Sequence, residues 1–382
     1  MTIDPQTLLE RLIACPSVTP EAAGALDLLA RELEAIGFAV TQLRFDGDGS
    51  YPVDNLFAIR GSGGRRLLFA GHTDVVPPGD LGNWTSDPFV AREAEGRLYG
   101  RGAADMKSGI AAFVAAAAAI PDDAGTVMLA ITNDEEADAI NGTEKLMAWA
   151  QAQQHRFDFA IVGEPSSAAT LGDSIKIGRR GSLSGTITVT GSQGHVAYPD
   201  KANNPLPTLA RIVTALDTDI DTGTAHFPAS NLEVTSIDVG NAISNVIPAA
   251  GTIRFNIRYN DLWTPDTLAE WVRGRIASVD HGGATVSFAV VGVPSRSFLS
   301  PLSDDVDTLS DAIADVTGHR PEFSTGGGTS DARFIAQYGP VVECGLVGPS
   351  MHKADEHIAI ADLIGLTEIY RAFMLRFFGR TA

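Results

Sequence analysis

The sequence predicts an α/β protein that has a mixed, largely parallel sheet flanked by helices, and an inserted ferredoxin-like βαββαβ domain. The first observation is that apolar stretches of strand length alternate with helical stretches over about 180 residues and again towards the C-terminus. The second is that the order between about 182 and 295 changes to strand, helix, two strands, helix and strand. Because 382 residues are too many for one ordinary core, we expect a discontinuous outer domain, 1–181 and 296–382, and an inserted domain, 182–295.

The elements of the outer domain follow from capping residues and periodicity. Asp4 is a candidate N-cap and Pro5 suits the first helical position, with leucines following at helical spacing, so the chain is expected to open with a helix. A second helix is expected from about Glu21 to Ile36, where Gly37 ends it. The alternating pattern then predicts strands at 38–43, 55–60, 67–71, 127–132 and 159–162, and helices at 108–119 and 142–153.

The inserted domain has its own set of predicted elements. From Thr252 to Tyr259 apolar and polar residues alternate, which indicates a strand with one buried face. The same kind of pattern predicts further strands at 184–190, 231–239 and 284–291, and helices at 205–216 and 265–278.

Composition and charge exclude several classes of protein. Hydrophobic residues make up 44% and charged residues 20%, as in globular proteins rather than disordered or collagen-like ones. Forty-seven acidic against 28 basic residues give a net charge of −19, which opposes binding to nucleic acids and anionic membranes. We therefore expect a small-molecule substrate, no nucleic-acid partner and no membrane partner. Any anionic group of the substrate must be held by local arginines.

Two further features bear on location. The longest apolar run, 109–120, is shorter than the roughly 20 residues that a membrane span needs, so we interpret it as a buried helix. Cys15 and Cys344 cannot form a disulfide framework, and the N-terminal residues lack the basic and apolar regions of a signal peptide. The cytoplasm is the expected location.

Acidic residues and histidines follow several apolar strands. Any one of them, taken alone, is more often a solvated acid or a core histidine than a ligand. Their recurrence places several carboxylates at the carboxyl edge of the sheet, where mutual repulsion is best compensated by cations. The residues are His72 and Asp74 in GHTD, Asp105 in GRGAADMKSG, Glu135 and Glu136 in TNDEE, and Glu164 in VGEP.

These residues suggest a metal centre with a general base. The nitrogen and oxygen ligands suit zinc better than calcium or magnesium, and three carboxylates with one hydroxide balance two divalent ions. Asp74 then fits as the acceptor that orients His72, and Glu135, next to a ligand but itself free, fits as the general base. The candidate ligands are His72, Asp105, Glu136, Glu164 and His352.

Nine motifs resemble the di-zinc metallopeptidase family of aminoacylases, carboxypeptidases and deacylases. The resemblance runs from CPSVTP to the final helix and implies a zinc-peptidase-like catalytic domain whose insert forms a homodimer. It implies two Zn²⁺ per subunit, with Co²⁺ able to substitute at one site. Asp105 would bridge the ions, with His72 and Glu164 on one ion and Glu136 and His352 on the other. The motifs are GHTDVVP, GRGAADMKSG, TNDEEADAINGT, VGEPS, GRRGS, GSQGHVAYP, SNVIPA, TGGGTSDARF and MHKADE.

The same resemblance implies the reaction and the substrate contacts. GRRGS, SNVIPA and TGGGTSDARF imply hydrolysis of N-succinyl-LL-2,6-diaminopimelate, with Glu135 as base. The alternatives are another N-acyl amino acid such as acetylornithine, or a binding protein that kept the fold and lost the chemistry. His195, which in a Gly-flanked loop could simply be solvated, would stabilise the oxyanion of the neighbouring subunit. The implied substrate contacts are Arg179, Ser182, Tyr198, Asn245, Arg258, Gly328, Thr329 and Arg333.

Two positions qualify the resemblance. Gly348 stands where the family leads us to expect Asn, so a side-chain contact to the acyl group is missing or replaced. The run Gly326 to Gly328 could instead cradle a phosphate. No lysine follows it as a P-loop requires, which argues against a nucleotide site.

Overall fold

The computed structural model describes residues 2–380 and divides the chain into two compact units. Unit 1 comprises 2–177, 300–324 and 330–380 of the described residues, and unit 2 comprises Gly178–Leu299 and Thr325–Thr329. Unit 2 is wider than the expected insert because Gly178–Arg179 pairs with Phe298–Leu299, which ties its two ends together. The roles of the units as catalytic and dimerisation domains stay predictions.

The helices and strands are numbered along the chain. The helices are α1 (Pro5–Ile13), α2 (Ala25–Ala35), α3 (Ser108–Ala118), α4 (Thr143–Ala152), α5 (Leu206–Leu216), α6 (Pro265–Ala277), α7 (Asp304–Thr317), α8 (Ala332–Ile335) and α9 (Ile360–Phe377). The strands are β1 (Ala39–Gly47), β2 (Ser50–Arg60), β3 (Arg66–His72), β4 (Arg92–Ala94), β5 (Arg97–Tyr99), β6 (Thr126–Thr132), β7 (Phe159–Val162), β8 (Ser174–Lys176), β9 (Gly178–Arg179), β10 (Gly181–Thr190), β11 (Gly194–His195), β12 (Asn231–Asp238), β13 (Val246–Ile247), β14 (Ala250–Tyr259), β15 (Thr285–Ser295), β16 (Phe298–Leu299), β17 (Glu322–Ser324), β18 (Val341–Glu343) and β19 (His357–Ala359).

The central sheet of unit 1 confirms the predicted α/β class. Its strand order is β1-β2-β6-β3-β7-β18-β8-β17. The neighbouring pairs β6–β3, β3–β7 and β7–β18 are parallel, whereas β1–β2 and β2–β6 are antiparallel. Every residue of β6 and β7 is buried, as expected for parallel strands covered on both faces.

Two helices show where the sequence pattern was reliable and where it was not. Asp4 caps α1 as predicted, because its carboxylate accepts the N–H of Thr7 at 2.9 Å. α2, however, begins at Ala25 rather than Glu21. Ala23 and Gly24 have positive φ values of 47° and 82°, so a right-handed helix cannot include them.

The Ala-rich run forms a buried helix, as expected. Every residue from Ser108 to Ala117 in α3 is buried. Across residues 2–380 the structure contains no helix with the length and apolar character needed to cross a membrane.

Unit 2 contains the predicted βαββαβ arrangement. Its antiparallel sheet has the order β12-β14-β10-β15, and α5 and α6 pack against each other and on this sheet. Ile253, Phe255 and Ile257 alternate along β14 and pack in one core with Ile212 of α5 and Val272 of α6. The period-two pattern of β14 therefore marks the face that the helices cover.

Candidate metal centre

The strand order brings the predicted ligands of unit 1 to one edge of the sheet. β6, β3 and β7 are parallel neighbours, so their carboxyl ends lie side by side. His72 is the last residue of β3, Glu136 follows β6, and Glu164 follows β7. Asp105 lies in the turn before α3, and His352 lies between β18 and β19.

Asp105 is the centre of the cluster. Its Oδ1 lies 3.3 Å from His72 Nε2, and its Oδ2 lies 3.3 Å from His352 Nε2. Glu164 Oε1 is 3.4 Å from His72 Nε2, and Glu136 Oε1 is 3.1 Å from His352 Nε2. Each oxygen of Asp105 thus faces one histidine, which in turn faces one glutamate.

Two buried atoms show that the cluster fits a cation. His72 Nε2 and Asp105 Oδ1 face each other, yet neither has a hydrogen-bond partner among residues 2–380. A buried polar atom without a partner is costly, and a metal ion between the two would supply the missing bond to both. The residues present therefore fit a metal ion.

The geometry groups the ligand atoms in two sets that share His72. One set is His72, Asp105 and Glu136, and the other is His72, Glu135 and Glu164, with the atoms of each set within 4.8 Å of one another. Glu135 therefore lies as close to His72 and Glu164 as a ligand would. Its assignment as base rather than ligand stays a prediction.

The protonation behaviour of the cluster reflects crowded acids around two histidines. Burial raises the pKa of Glu164 to about 7, and Asp105 adds to the effect. Burial, reinforced by the charge of Glu164, raises the pKa of Glu135 well above its usual value. Hydrogen bonds to Asp105 and then Glu136 raise the pKa of His352 to about 10. Protons thus offset the charge of the acids here, a task that a divalent cation would take over.

Asp74 contacts the cluster in two ways. His72 Nδ1 lies 2.9 Å from the main-chain oxygen of Asp74 and 3.6 Å from its carboxylate Oδ1, so the nearer acceptor for His72 is the main chain. The carboxylate Oδ2 accepts from Thr19 Oγ1 at 2.7 Å and from the N–H groups of Glu135 and Glu136, each at 3.1 Å. The Asp74 side chain therefore holds the Glu135–Glu136 turn.

Sequence reasoning missed two buried acids near these loops. Glu356 is 1% exposed and accepts hydrogen bonds from the turn that carries Asp105. Asp331 is 4% exposed, and its charge is among those that raise the pKa of Glu135. The predicted contact Arg333 belongs to unit 1 and lies 3.8 Å from Asp331 Oδ1. Both acids lie within motifs of the resemblance, Asp331 in TGGGTSDARF and Glu356 in MHKADE, and this position is the signal that could have identified them.

Three predicted residues of unit 2 lie together on a short ribbon formed by β11 and β13. His195 ends β11, and Asn245 precedes β13 and accepts the N–H of Val196 at 3.2 Å. The N–H of Tyr198 donates to the His195 carbonyl at 2.9 Å. His195 Nδ1 accepts the N–H of Ala197 at 3.1 Å, so the proton of a neutral ring is assigned to Nε2.

Ser182 and Arg258 face each other across β10 and β14. Burial lowers the pKa of Arg258, and the neighbouring charge of Arg180 lowers it further. Arg180 donates to Asn231 Oδ1 at 3.0 Å, and its buried Nε has no hydrogen-bond partner in the described chain. Two guanidinium groups thus stand close together where an anion would stabilise them.

The Arg179 side chain, by contrast, contacts the glycine run 326–328, which contains the predicted contact Gly328 and precedes Thr329. Its Nη1 donates to the carbonyls of Gly326 and Gly328, each at 3.3 Å. Gly327 has a φ of 105°, and a Cβ there would collide with Arg179 Nη1. These contacts explain the glycine at position 327, and 325–329 belongs to unit 2, although the sequence boundaries put it with the outer segments.

Packing explains why Gly348 carries no side chain. A Cβ at this position would lie 2.8 Å from Pro165 Cβ and would collide with Met351 Cε. The space of the expected Asn is therefore filled by Met351 and Pro165.

Comparisons with known proteins agree with this architecture. The model of peptidase family M20/M25/M40 matches residues 68–376. The chain is 53% identical to "Succinyl-diaminopimelate desuccinylase" of Methylorubrum extorquens (strain PA1), over 96% of this chain and 97% of that protein. It is 52% identical to the protein of the same name from Rhodospirillum centenum, over 99% and 98%.

Solved structures give the same fold at low sequence identity. A tripeptidase from Staphylococcus aureus has a TM-score of 0.78 at 17% identity over 100% of both chains. Human carnosine dipeptidase 1 has a TM-score of 0.74 at 18% identity, over 98% of this chain and 96% of that one. With a family match over most of its length and relatives more than half identical, the chain belongs to peptidase family M20/M25/M40.

Proposed function

We propose that the protein hydrolyses N-succinyl-LL-2,6-diaminopimelate to succinate and LL-2,6-diaminopimelate, in the biosynthesis of lysine and cell-wall precursors. The observation that carries this proposal is the name shared by relatives that are about half identical over nearly their full length. The clustered histidines and carboxylates support hydrolytic chemistry, because a metal-dependent hydrolase needs such a set. They argue against a binding protein that has lost its chemistry.

The proposed cofactor is two Zn²⁺ per subunit, with Co²⁺ able to replace one. Asp105 would contact both ions, His72 and Glu164 would complete one site, and Glu136 and His352 the other. The distances of 3.1–3.4 Å between facing ligand atoms support this division. When bound, the ions would lower the pKa of a water molecule and polarise the amide carbonyl.

The proposed role of Glu135 is to move the proton. Its carboxylate would accept the proton of the attacking water and later deliver it to the departing amine. Its position supports this role, because its carboxylate lies within 4.8 Å of the candidate ligand atoms of His72 and Glu164. Asp74 would keep Glu135 in place through the N–H that it accepts at 3.1 Å.

His195 is proposed to donate from Nε2 to the oxyanion, in the active site of the neighbouring subunit. Its Nδ1 already accepts the Ala197 N–H, which leaves Nε2 as the donor. We propose a homodimer formed through unit 2, in which the two-fold symmetry lets each chain supply this histidine to the other.

Mixing Glu135→Ala and His195→Ala chains tests the arrangement across the dimer. Each homodimer should be nearly inactive, whereas a mixed dimer has one site with both residues intact. Random exchange makes about half of the dimers mixed, so activity should recover to roughly a quarter of wild type. Mixed dimers that form without recovery would show that His195 serves its own chain or is not catalytic.

The proposed substrate carries several carboxylates, and unit 2 offers cations for them. The buried Nε of Arg180 has no hydrogen-bond partner within residues 2–380, and burial together with the charge of Arg180 lowers the pKa of Arg258, in a protein of net charge −19. The proposed contacts are Arg179, Ser182, Tyr198, Asn245, Arg258, Gly328, Thr329 and Arg333.

We place the protein in the cytoplasm, since both cysteines are free.

The decisive experiment is release of primary amine from N-succinyl-LL-2,6-diaminopimelate with Zn²⁺ present. N-acetylornithine, at the same concentration, is the matched substrate for the alternative. We expect hydrolysis of the succinylated compound to be much the faster. Preferential hydrolysis of acetylornithine would assign the alternative substrate, and hydrolysis of neither would contradict the enzyme proposal.

A further inference from the structure

Glu356 is a buried acid that receives four hydrogen bonds. Its Oε2 accepts from the N–H of Gly102 at 3.0 Å and from Arg101 Nη1 at 2.6 Å. Its Oε1 accepts from the N–H groups of Ala104 at 2.8 Å and Asp105 at 3.0 Å. The side chain is 1% exposed, so water does not compete for these bonds.

Three of the four donors belong to the main chain of the turn that carries Asp105. Asp105 itself has φ −122° and ψ 102°, which lie outside the helical region. The N–H groups of such a turn need acceptors from elsewhere, and a charged acceptor forms the stronger bonds. The Glu356 carboxylate supplies them and thereby fixes the backbone from which Asp105 projects.

Glu356 also belongs to the segment that carries His352. Its own carbonyl accepts the N–H of Gly100 at 2.9 Å, and β19, which begins at the next residue, pairs with β5. One residue therefore joins the Asp105 turn to the His352 segment through both main chain and side chain. Across this junction Asp105 Oδ2 lies 3.3 Å from His352 Nε2.

Arg101 forms a buried ion pair with this carboxylate, its Nη1 lying 2.6 Å from Glu356 Oε2. The guanidinium is 2% exposed and packs over the ring of Trp84, 5.1 Å from its centroid. A buried acid that is paired and fully hydrogen-bonded is tolerated, whereas loss of its acceptors leaves buried donors unsatisfied.

We propose that Glu356 is a positioning residue that sets the separation of Asp105 and His352, and thereby the affinity of the centre for metal ions. The inference rests on the proposed metal-dependent function and concerns how the ligands are held. Glu356 itself contacts no reacting group.

Glu356→Gln tests this role at nearly constant side-chain size. The amide replaces one oxygen with an NH₂ group, which cannot accept, so two of the four donors lose their partner. Zn²⁺ binding to metal-free protein is measured by competition with a chelating dye, a readout that does not depend on turnover. We expect at least one Zn²⁺ to bind about 10- to 100-fold more weakly than in wild type.

Asp221→Asn is the matched control. Asp221, in unit 2, also accepts four hydrogen bonds, from the N–H groups of Gly223 and Ser230 and from the side chains of Asn260 and Trp263. This variant should lower thermal stability and leave Zn²⁺ affinity unchanged. Wild-type Zn²⁺ affinity in folded Glu356→Gln protein, or an equal loss of affinity in both variants, would overturn the proposal.

A second variant covers the case in which Glu356→Gln does not fold. Glu356→Asp keeps the charge and both oxygens but withdraws them by one methylene, so a smaller loss of Zn²⁺ affinity is expected. Wild-type affinity in this variant would equally refute the positioning role. If the wild-type protein itself binds no Zn²⁺, the proposed metal-dependent function is contradicted. This result is distinct from wild-type affinity in the variants, which contradicts only the positioning role of Glu356.

Discussion

The candidate residues of the two units differ in how firmly the fold holds them. In unit 1, His72 and Asp105 are buried, His72 ends a strand and contacts the main-chain oxygen of Asp74, and the main-chain N–H of Asp105 donates to Glu356. In unit 2, His195 is exposed on a ribbon of two short strands, and Tyr198 is 56% exposed. The buried carboxylates of unit 1 are therefore suited to bind a cation. The hydrogen-bond donors and arginines of unit 2 are suited to bind an anion.

Metal removal is expected to have the largest effect on activity of the changes considered. It should also affect the backbone of unit 1 and unit 2 unequally. Chelation is expected to abolish turnover, because neither cysteine has a recognisable histidine partner and no other nucleophile is apparent. It should also raise amide hydrogen exchange around Asp105 and Glu164 but not in β10 or β14, since only unit 1 loses the charge that holds its acids together. Zn²⁺ should restore both properties. Full activity in metal-free protein would contradict the mechanism.

Two adjacent glutamates separate base from ligand within unit 1. Glu135→Gln should lower kcat by about 10²- to 10⁴-fold, the range typical of a general base, while Zn²⁺ content stays at the wild-type level. Glu136→Gln is the matched variant and should lose bound Zn²⁺. The measurements are kcat and metal analysis of both purified proteins. Loss of half or more of the Zn²⁺ in Glu135→Gln would exchange the two roles.

Substitution of arginines in unit 2 tests whether this unit binds the carboxylates of the substrate. Arg258→Met should raise KM for the succinylated substrate about tenfold and leave kcat within about twofold of wild type, because a carboxylate loses a charged partner. Arg254→Met, exposed on the same strand β14, is the control and should change neither constant. An unchanged KM in Arg258→Met would remove Arg258 from the substrate contacts.

Substitution of Thr19 is expected to have the smallest effect on kcat, because it removes a single hydrogen bond to Asp74. Thr19→Val removes the hydroxyl that donates to Asp74 Oδ2 at 2.7 Å and keeps the side-chain shape. The loss of one hydrogen bond, about 1 kcal/mol, should lower kcat by roughly fivefold through a less firmly held Glu135. Thr19→Ser should retain wild-type kcat. Equal kcat values in wild type and both variants would show that this bond does not position the turn.

The sequence was informative where candidate residues follow regular structure. Candidate ligands at the ends of apolar strands could be identified because parallel strands bring their carboxyl ends together, as His72 on β3 and Glu136 after β6 illustrate. The four strands of the insert were evident from period-two patterns, and β14 kept its predicted buried face.

The sequence was insufficient where a role depends on contacts between distant segments. Glu356 is part of the motif MHKADE, but it lies more than 250 positions from Gly102 and Ala104, whose N–H groups donate to it, so no local pattern reveals these contacts. The resemblance implies Arg179 as a substrate contact, yet its guanidinium donates to carbonyls 147 and 149 positions away in the chain. Such contacts are created by tertiary packing, and periodicity carries no information about them.

The position of β18 in the sheet has a consequence for protein synthesis. β18 lies between β7 and β8, although both of those strands precede unit 2 along the chain. A nascent chain that has emerged as far as Leu299 therefore already has four of the five proposed ligands, but its sheet has a gap beside β7. The segment that follows Leu299 fills that gap and delivers His352. Translation that stops early would therefore yield a chain without a complete sheet or a complete metal centre.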